Sequence, residues 1–316
     1  MITMNEENQN RKSGKPDMSV QIAGVTFQNP VMTASGTFGS GMEYSDFVDL
    51  NRLGAVVTKG VSNVPWEGNP TPRVAEVYGG MLNAIGLQNP GVEVFAARDL
   101  AFLENYDTRV IVNVCGHSEE EYLEVVERLS DEKRVDMLEV NVSCPNVKQG
   151  AIAFGTKPES LLHITEQIKK IARQPVIMKL TPNVTSIGEL AKAAEAGGAD
   201  AISLINTITG MKIDVERKRF VLANKTGGMS GPAIHPVAVR MVYEAAHAVR
   251  IPIIGMGGVS SAEDALELML AGATGVAVGA ANFHNPSATI DVLEGMEEYA
   301  ARHHLGSITE IVGAVE

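Results

Sequence analysis

The sequence predicts an α/β protein built as a (β/α)8 barrel, with its functional site at the C-terminal face of the strands. Three observations carry this. Eight short, β-rich apolar runs alternate with helical patterns along 316 residues. The runs are continuously apolar, as parallel strands buried on both faces require, and helical crossovers are what parallel pairing needs. Each run then ends on a polar residue or a glycine, and in a barrel those ends meet at one face. A doubly wound open sheet is the alternative, but no glycine fingerprint follows the first run as that fold's nucleotide site would require.

In chain order the runs are Val31-Met32-Thr33-Ala34, Ala55-Val56-Val57-Thr58, Val110-Ile111-Val112 and Met137 to Val140. Val176-Ile177-Met178, Ala201 to Ile205, Ile253 to Met256 and Gly275 to Val278 complete the set. Between them, 118–129 and 157–172 carry apolar residues at helical spacing. The segment 186–198 ends on glycines suited to a C-cap, and 235–249 has Pro236 near its start. In 260–272 either Ser260 or Ser261 suits the N-cap, with Glu263 and Asp264 favourable in the first turn. Residues 1–17 are polar and patternless and read as a tail, leaving 18–316 as a single domain.

Composition narrows the function. A formal charge of -12 argues against a nucleic-acid surface. No run approaches the roughly 18 apolar residues that span a bilayer, and the polar start does not read as a signal peptide, so a cytoplasmic setting is expected. Two cysteines, Cys115 and Cys144, are too few for a disulfide framework, an all-cysteine zinc site or an all-cysteine iron–sulfur cluster. Cluster chemistry, if used, belongs to another chain. His303-His304 lacks further ligands at useful spacing and reads as a solvated helix end; no metal site is expected. Trp66, the only tryptophan, suits either rim packing or a partner surface.

The strand ends point to chemistry. They are Ser35-Gly36, Lys59-Gly60, Asn113, Asn141, Lys179, Asn206-Thr207, Gly257-Gly258 and Gly279-Ala280. Two rim lysines are hard to explain as turn residues, since burying an ammonium is unfavourable without a partner. Glycines after the last two strands free backbone N–H groups for an anion, and barrel phosphate sites are often built there. Lysines, amides and hydroxyls around a phosphate suit a flavin, but a sugar phosphate uses similar parts. Cys144, in NVSCPNVKQG, stands among amides just past the fourth strand; an isolated cysteine is more often a small buried hydrophobe.

Six segments together resemble one family: NVSCPNVKQGAIAFGT (141–156), MLNAIGLQNPG (81–91), GNPTPRVAE (68–76), INTITGM (205–211), GGMSGPAIHP (227–236) and IIGMGGV (253–259). Taken in chain order they are similar to dihydroorotate dehydrogenase, and to the class 1B, NAD-linked catalytic subunit within it. The resemblance runs from about residue 18 to about 300. It implies an FMN-containing barrel, one FMN per chain, that oxidises (S)-dihydroorotate to orotate in pyrimidine biosynthesis. Ser35, Lys59, Gly60, Asn113, Asn141, Lys179 and Ile205 would surround the flavin, with Gly231, Gly257, Gly258, Gly279 and Ala280 at its phosphate end. Lys59, Asn83, Ala84, Ile85, Gly86, Leu87, Asn141, Asn146, Asn206 and Thr207 would form the substrate pocket. Amides suit orotate, whose ring presents N–H and C=O groups while its carboxylate needs donors. Cys144 would be the base for the C5 proton while hydride leaves C6. A free thiol titrates at about 8.5, close enough to neutrality to serve.

The resemblance also implies partners. Electrons left on FMN would pass to NAD+ through a second subunit carrying FAD and a 2Fe–2S cluster, around a homodimer core in a heterotetramer. The class 1A enzymes, which reduce fumarate, and dihydropyrimidine dehydrogenase-like flavoenzymes are the neighbouring alternatives. A non-catalytic barrel that keeps only a phosphate site is the third. Two residues depart from the family pattern: Ala280 stands where threonine is usual, and Cys115 replaces a small apolar residue.

Overall fold

The computed structural model describes residues 15–142 and 154–316. A hairpin of β1 (Val20–Ile22) and β2 (Val25–Phe27) leads into β3 (Val31–Thr33) and β4 (Ala55–Val57). An antiparallel pair, β5 (Val74–Val77) and β6 (Gly80–Asn83), precedes β7 (Arg109–Val114), β8 (Met137–Val140), β9 (Val176–Lys179) and β10 (Ala201–Leu204). A second excursion holds β11 (Ile208–Met211), β12 (Ile213–Asp214), β13 (Arg219–Phe220) and β14 (Thr226–Ser230), before β15 (Ile253–Met256) and β16 (Gly275–Val278).

Eight strands close into a parallel barrel in the order β3-β4-β7-β8-β9-β10-β15-β16, and they coincide with the eight apolar runs. Seven of them are buried at every position, which is why their sequences run apolar without alternation. The β1–β2 hairpin closes the N-terminal end: Ile22 and Phe27 are fully buried, and Arg109 Nε, at the start of β7, donates to the Thr26 carbonyl. That end is sealed with apolar side chains, so any ligand must enter from the other.

The expected helices form, and the structure adds two serine N-caps to the expected ones. Ser118 and Ser186 cap Glu119–Ser130 and Ile187–Ala196 by accepting from Glu121 N–H and Glu189 N–H. Gly197 caps the second of these, and Gly198 follows at φ +90°. Of the two serines before Ala262–Leu270, Ser261 is the cap, in a reciprocal capping box with Asp264. Burial works to raise the Asp264 carboxyl, but the Ser260 N–H, the Ser261 and Ser260 hydroxyls and His235 outweigh it and hold it below the usual carboxylate range. The chain is tied down from Asp17, whose N–H donates to the Gly306 carbonyl and whose carbonyl accepts from Ile308 N–H.

Two features lie outside the alternating pattern. Strands β11, β14, β6 and β5 form a separate antiparallel sheet over the C-terminal face of the barrel, above a small core of Ala75, Leu82, Ala84 and Leu222. After β6 the helical turns Val92–Val94 and Ala101–Leu103 flank a π-helix, Phe95–Leu100. Cys115 is fully buried behind Gly60, as its apolar reading expects. Trp66 stacks on His117 at 3.8 Å between centroids, so it packs at the rim. No helix among the described residues is long and apolar enough to cross a membrane.

Candidate active site

Register places four polar side chains side by side within the barrel. Asn113 on β7 is the register partner of Glu139 on β8, and Lys179 on β9 is the partner of Ser203 on β10. All four are almost fully buried. Glu139 is the hub. Its Oε2 accepts from Asn113 Nδ2 at 2.6 Å and lies 3.3 Å from Lys179 Nζ, while its Oε1 accepts from Ser203 Oγ at 2.7 Å. The buried ammonium thus has the charge partner it needs. Lys179 Nζ also donates to Ser35 Oγ at 2.9 Å, which links the hub to the first strand end.

A second chain of amides runs across the strand ends. Asn206 Nδ2 donates to Asn141 Oδ1 at 3.3 Å, and the Asn141 carbonyl accepts from Tyr122 OH at 2.8 Å. Lys59 holds its Nζ above Gly36, where a Cβ would come within 3.6 Å of it. Gly60 is equally constrained: a side chain there would meet Asn113 Oδ1 at 3.0 Å and Leu87 Cδ2 at 3.5 Å.

These groups open on a cavity of about 500 Å³, an ordinary size for a small-molecule site. Its floor is Ser35, Lys59, Gly60, Asn113, Asn141, Lys179, Ile205, Asn206 and Thr207. Its roof comes from the outer sheet and the following loop, with Asn83, Ile85, Gly86, Leu87, Ser230 and Gly231. One end is made by Gly257, Gly258, Gly279 and Ala280. There Gly257 and Gly258 have φ of +130° and +75°, a backbone that side chains disfavour. A Cβ on Gly258 would lie 2.7 Å from His235 Cβ, and one on Gly257 would lie 2.8 Å from Ala238 Cβ. The result is a glycine-walled cradle at one end and ammonium and amide groups at the other. It fits an elongated anion with a polar ring system.

The structure therefore brings together nearly all of the expected site residues, with one correction. Ala84 does not line the cavity; it is fully buried in the small core beneath the outer sheet. Side chains alternate here, so Asn83 and Ile85 face the cavity and Ala84 turns away. Cys144 and Asn146 lie outside the described residues.

Three supporting residues escaped the sequence reading. Glu139 and Ser203 sit within apolar runs, and the signal was a charged residue inside a strand buried on both faces. Asn69 of the GNP segment is the third. Its N–H donates to the Ile85 carbonyl at 2.9 Å and its Nδ2 to the Ala84 carbonyl at 3.0 Å, fixing the loop that roofs the cavity. No group of three or more His, Cys, Asp or Glu is poised for a metal among the described residues.

Comparison with known proteins agrees with this geometry. The family model for dihydroorotate dehydrogenase matches residues 17–299, a span that includes all eight barrel strands and every cavity residue named above. A protein of Lachnoclostridium phytofermentans, named dihydroorotate dehydrogenase B (NAD(+)), catalytic subunit, is 68% identical over 94% of this chain and 99% of its own length. Relatives of the same name from Alkaliphilus oremlandii and Geotalea uraniireducens are 62% and 54% identical, over 94% and 96% of this chain and 98% and 99% of theirs. With a sequence that matches the family model over residues 17–299 and aligns along nearly the whole length of these relatives, the chain belongs to the dihydroorotate dehydrogenase family.

Proposed function

We propose that this protein is the catalytic subunit of an NAD+-linked dihydroorotate dehydrogenase, oxidising (S)-dihydroorotate to orotate in pyrimidine biosynthesis. The observation that carries it is the match to catalytic subunits of that name, 68% identical across 99% of the relative. The name those relatives carry favours NAD+ over fumarate as the final acceptor. It also implies a second subunit, which we assign the FAD and 2Fe–2S centres because this chain has only two cysteines. A homodimer of this chain within a heterotetramer, in the cytoplasm, is the assembly we expect.

The resident cofactor we assign is FMN, one per chain, and the cavity suits it. When bound, the flavin supplies the acceptor for the hydride from C6 of dihydroorotate. Gly257, Gly258, Gly279, Ala280 and Gly231 would hold its phosphate through close backbone approach. Lys179, anchored by Glu139 and Ser35, would set a positive charge beside the ring, with Lys59, Asn113 and Asn141 around it. Asn83, Asn206 and Thr207 would bind and orient the substrate, whose alternating N–H and C=O groups match amides that both donate and accept.

The proton at C5 needs a base. We assign that role to Cys144, which lies three residues beyond Asn141 in the chain. Its thiolate Sγ would take the proton, and a thiol with an ordinary pKa near 8.5 is partly ionised at neutral pH. Asn146 would join the substrate contacts from the same segment. The outer sheet roofs the cavity and limits water at the reacting carbons.

Purified protein is expected to be yellow, and its flavin absorbance to bleach on anaerobic addition of dihydroorotate. Colourless protein that binds no flavin, or yellow protein bleached by dihydrouracil and not by dihydroorotate, would overturn the assignment.

A further inference from the structure

His235 opens the helix His235–Ala246 and is 7% exposed. Its Nδ1 is 2.8 Å from the carbonyl oxygen of Gly257, and its Nε2 is 3.0 Å from Glu267 Oε2 and 3.8 Å from Asp264 Oδ1. The ring thus stands between two acceptors, a backbone carbonyl at Nδ1 and a carboxylate at Nε2. The ring therefore ties the helix Ala262–Leu270, through Glu267 and Asp264, to the end of β15.

The Gly257 carbonyl and the Gly258 N–H belong to one trans peptide group, in which the two bonds point in opposite directions. Holding the carbonyl on the helix side turns the Gly258 N–H the other way, to the side on which Gly257 and Gly258 wall the cavity. Among the described residues nothing accepts that N–H. The turn also rests directly on His235, since a Cβ on Gly258 would lie 2.7 Å from His235 Cβ. The peptide is thus fixed by a charge-assisted network behind it, with its free donor facing the site.

We propose that His235 is a positioning residue for the flavin phosphate: held by Glu267 and Asp264, it orients the Gly257–Gly258 peptide so that the Gly258 N–H is presented to the anion. The inference rests on the flavin reading above. His235 does not touch the ligand; it acts through the peptide it holds.

The test is a titration of flavin-free protein with FMN and with riboflavin, which lacks the phosphate, for the wild type and two His235 variants. In His235→Asn the amide nitrogen takes the place of Nδ1 and keeps the bond to Gly257. In His235→Gln it takes the place of Nε2 and loses that bond. The expected result is an FMN Kd raised about tenfold or more in His235→Gln and within about threefold of wild type in His235→Asn, with riboflavin binding unmoved in both. Wild-type FMN affinity in His235→Gln, or an equal loss of FMN and riboflavin, would reject the role. Should His235→Gln fail to fold, Glu267→Gln tests the same network from a side chain that is 57% exposed. It is expected to weaken FMN about threefold and leave riboflavin unchanged, and parallel loss of both or no loss of either would reject the role. Wild-type protein that binds riboflavin as tightly as FMN would remove the phosphate reading itself. A wild-type preference for FMN that every variant keeps would remove only His235.

Discussion

Lys179 Nζ lies 3.3 Å from Glu139 Oε2, and the two side chains are 4% and 2% exposed. Neither charge has water to fall back on, so each depends on the other. Glu139→Gln keeps the shape and leaves an oxygen for Asn113 and an amide for Ser203, but it strands the ammonium. Removing one partner of a buried pair is expected to destabilise by about 3–5 kcal/mol. The double change Glu139→Leu with Lys179→Met should recover most of that stability, because two buried charges leave together. Flavin retention should not recover, since the ammonium beside the ring is gone. Denaturant melts and flavin content of the three proteins separate the two effects, and a double variant that held flavin like wild type would reject the cofactor role of Lys179.

That pair also shows which parts of the molecule the sequence exposes. The barrel strands were legible because strands buried on both faces must be apolar throughout, and their ends because a ligand face needs polar or glycine residues. Glu139 was hidden inside such a run, and its purpose depends on register with β7 and on the approach of Lys179 from β9. The outer sheet was not legible for a different reason. In β14, Thr226–Ser230, two glycines interrupt the pattern, and pairing with β6 joins residues far apart in the chain, for example Gly228 with Asn83. Glycine is required there by tertiary contact, because a Cβ on Gly228 would lie 2.0 Å from Thr207 Oγ1. Ala84 was misplaced because a motif read as a unit ignores the alternation of its side chains.

Cys144 carries the proton transfer in the mechanism proposed above. Cys144→Ala should retain bound FMN and lose most dihydroorotate oxidation, on the order of the 10²–10⁴-fold that general-base catalysis contributes. Cys144→Ser should be slow at neutral pH and recover in part as pH rises, because the hydroxyl is far less easily ionised than a thiol. Anaerobic flavin reduction by dihydroorotate, followed across pH, reads both. Wild-type reduction rates in Cys144→Ala would rule out the thiol as base.

Ala280 begins the 3-10 helix Ala280–Phe283 and lines the glycine-walled end of the cavity. It presents backbone but no hydroxyl to an anion. Ala280→Thr adds one donor at a position already open to the cavity, and a hydrogen bond to a charged group is worth about 1.5–3 kcal/mol at most. Tighter FMN binding is expected, with riboflavin unchanged. An unaltered FMN dissociation constant would mean that the added hydroxyl does not reach the phosphate.

Asp264 ties stability to pH in a direction that can be worked out. Burial raises its carboxyl, but the Ser260 N–H, the serine hydroxyls and His235 prevail, so its folded value lies below the unfolded one, about 3.9. A group depressed on folding contributes stability that is fully present above the unfolded pKa and is lost as pH falls through the folded one. Asp264→Asn keeps the shape and removes the charge that the helix start Ala262–Leu270 and His235 both favour. The side chain is partly solvated, so the difference from wild type at pH 7 should be modest, roughly 0.5–1 kcal/mol. As pH falls below the unfolded value, the unfolded chain takes up its proton before the folded carboxyl does, so the gap should narrow. Urea midpoints for the two proteins between about pH 7 and pH 3.5 measure it. A gap that stayed constant or widened on acidification would show that the carboxylate is not what stabilises this helix start.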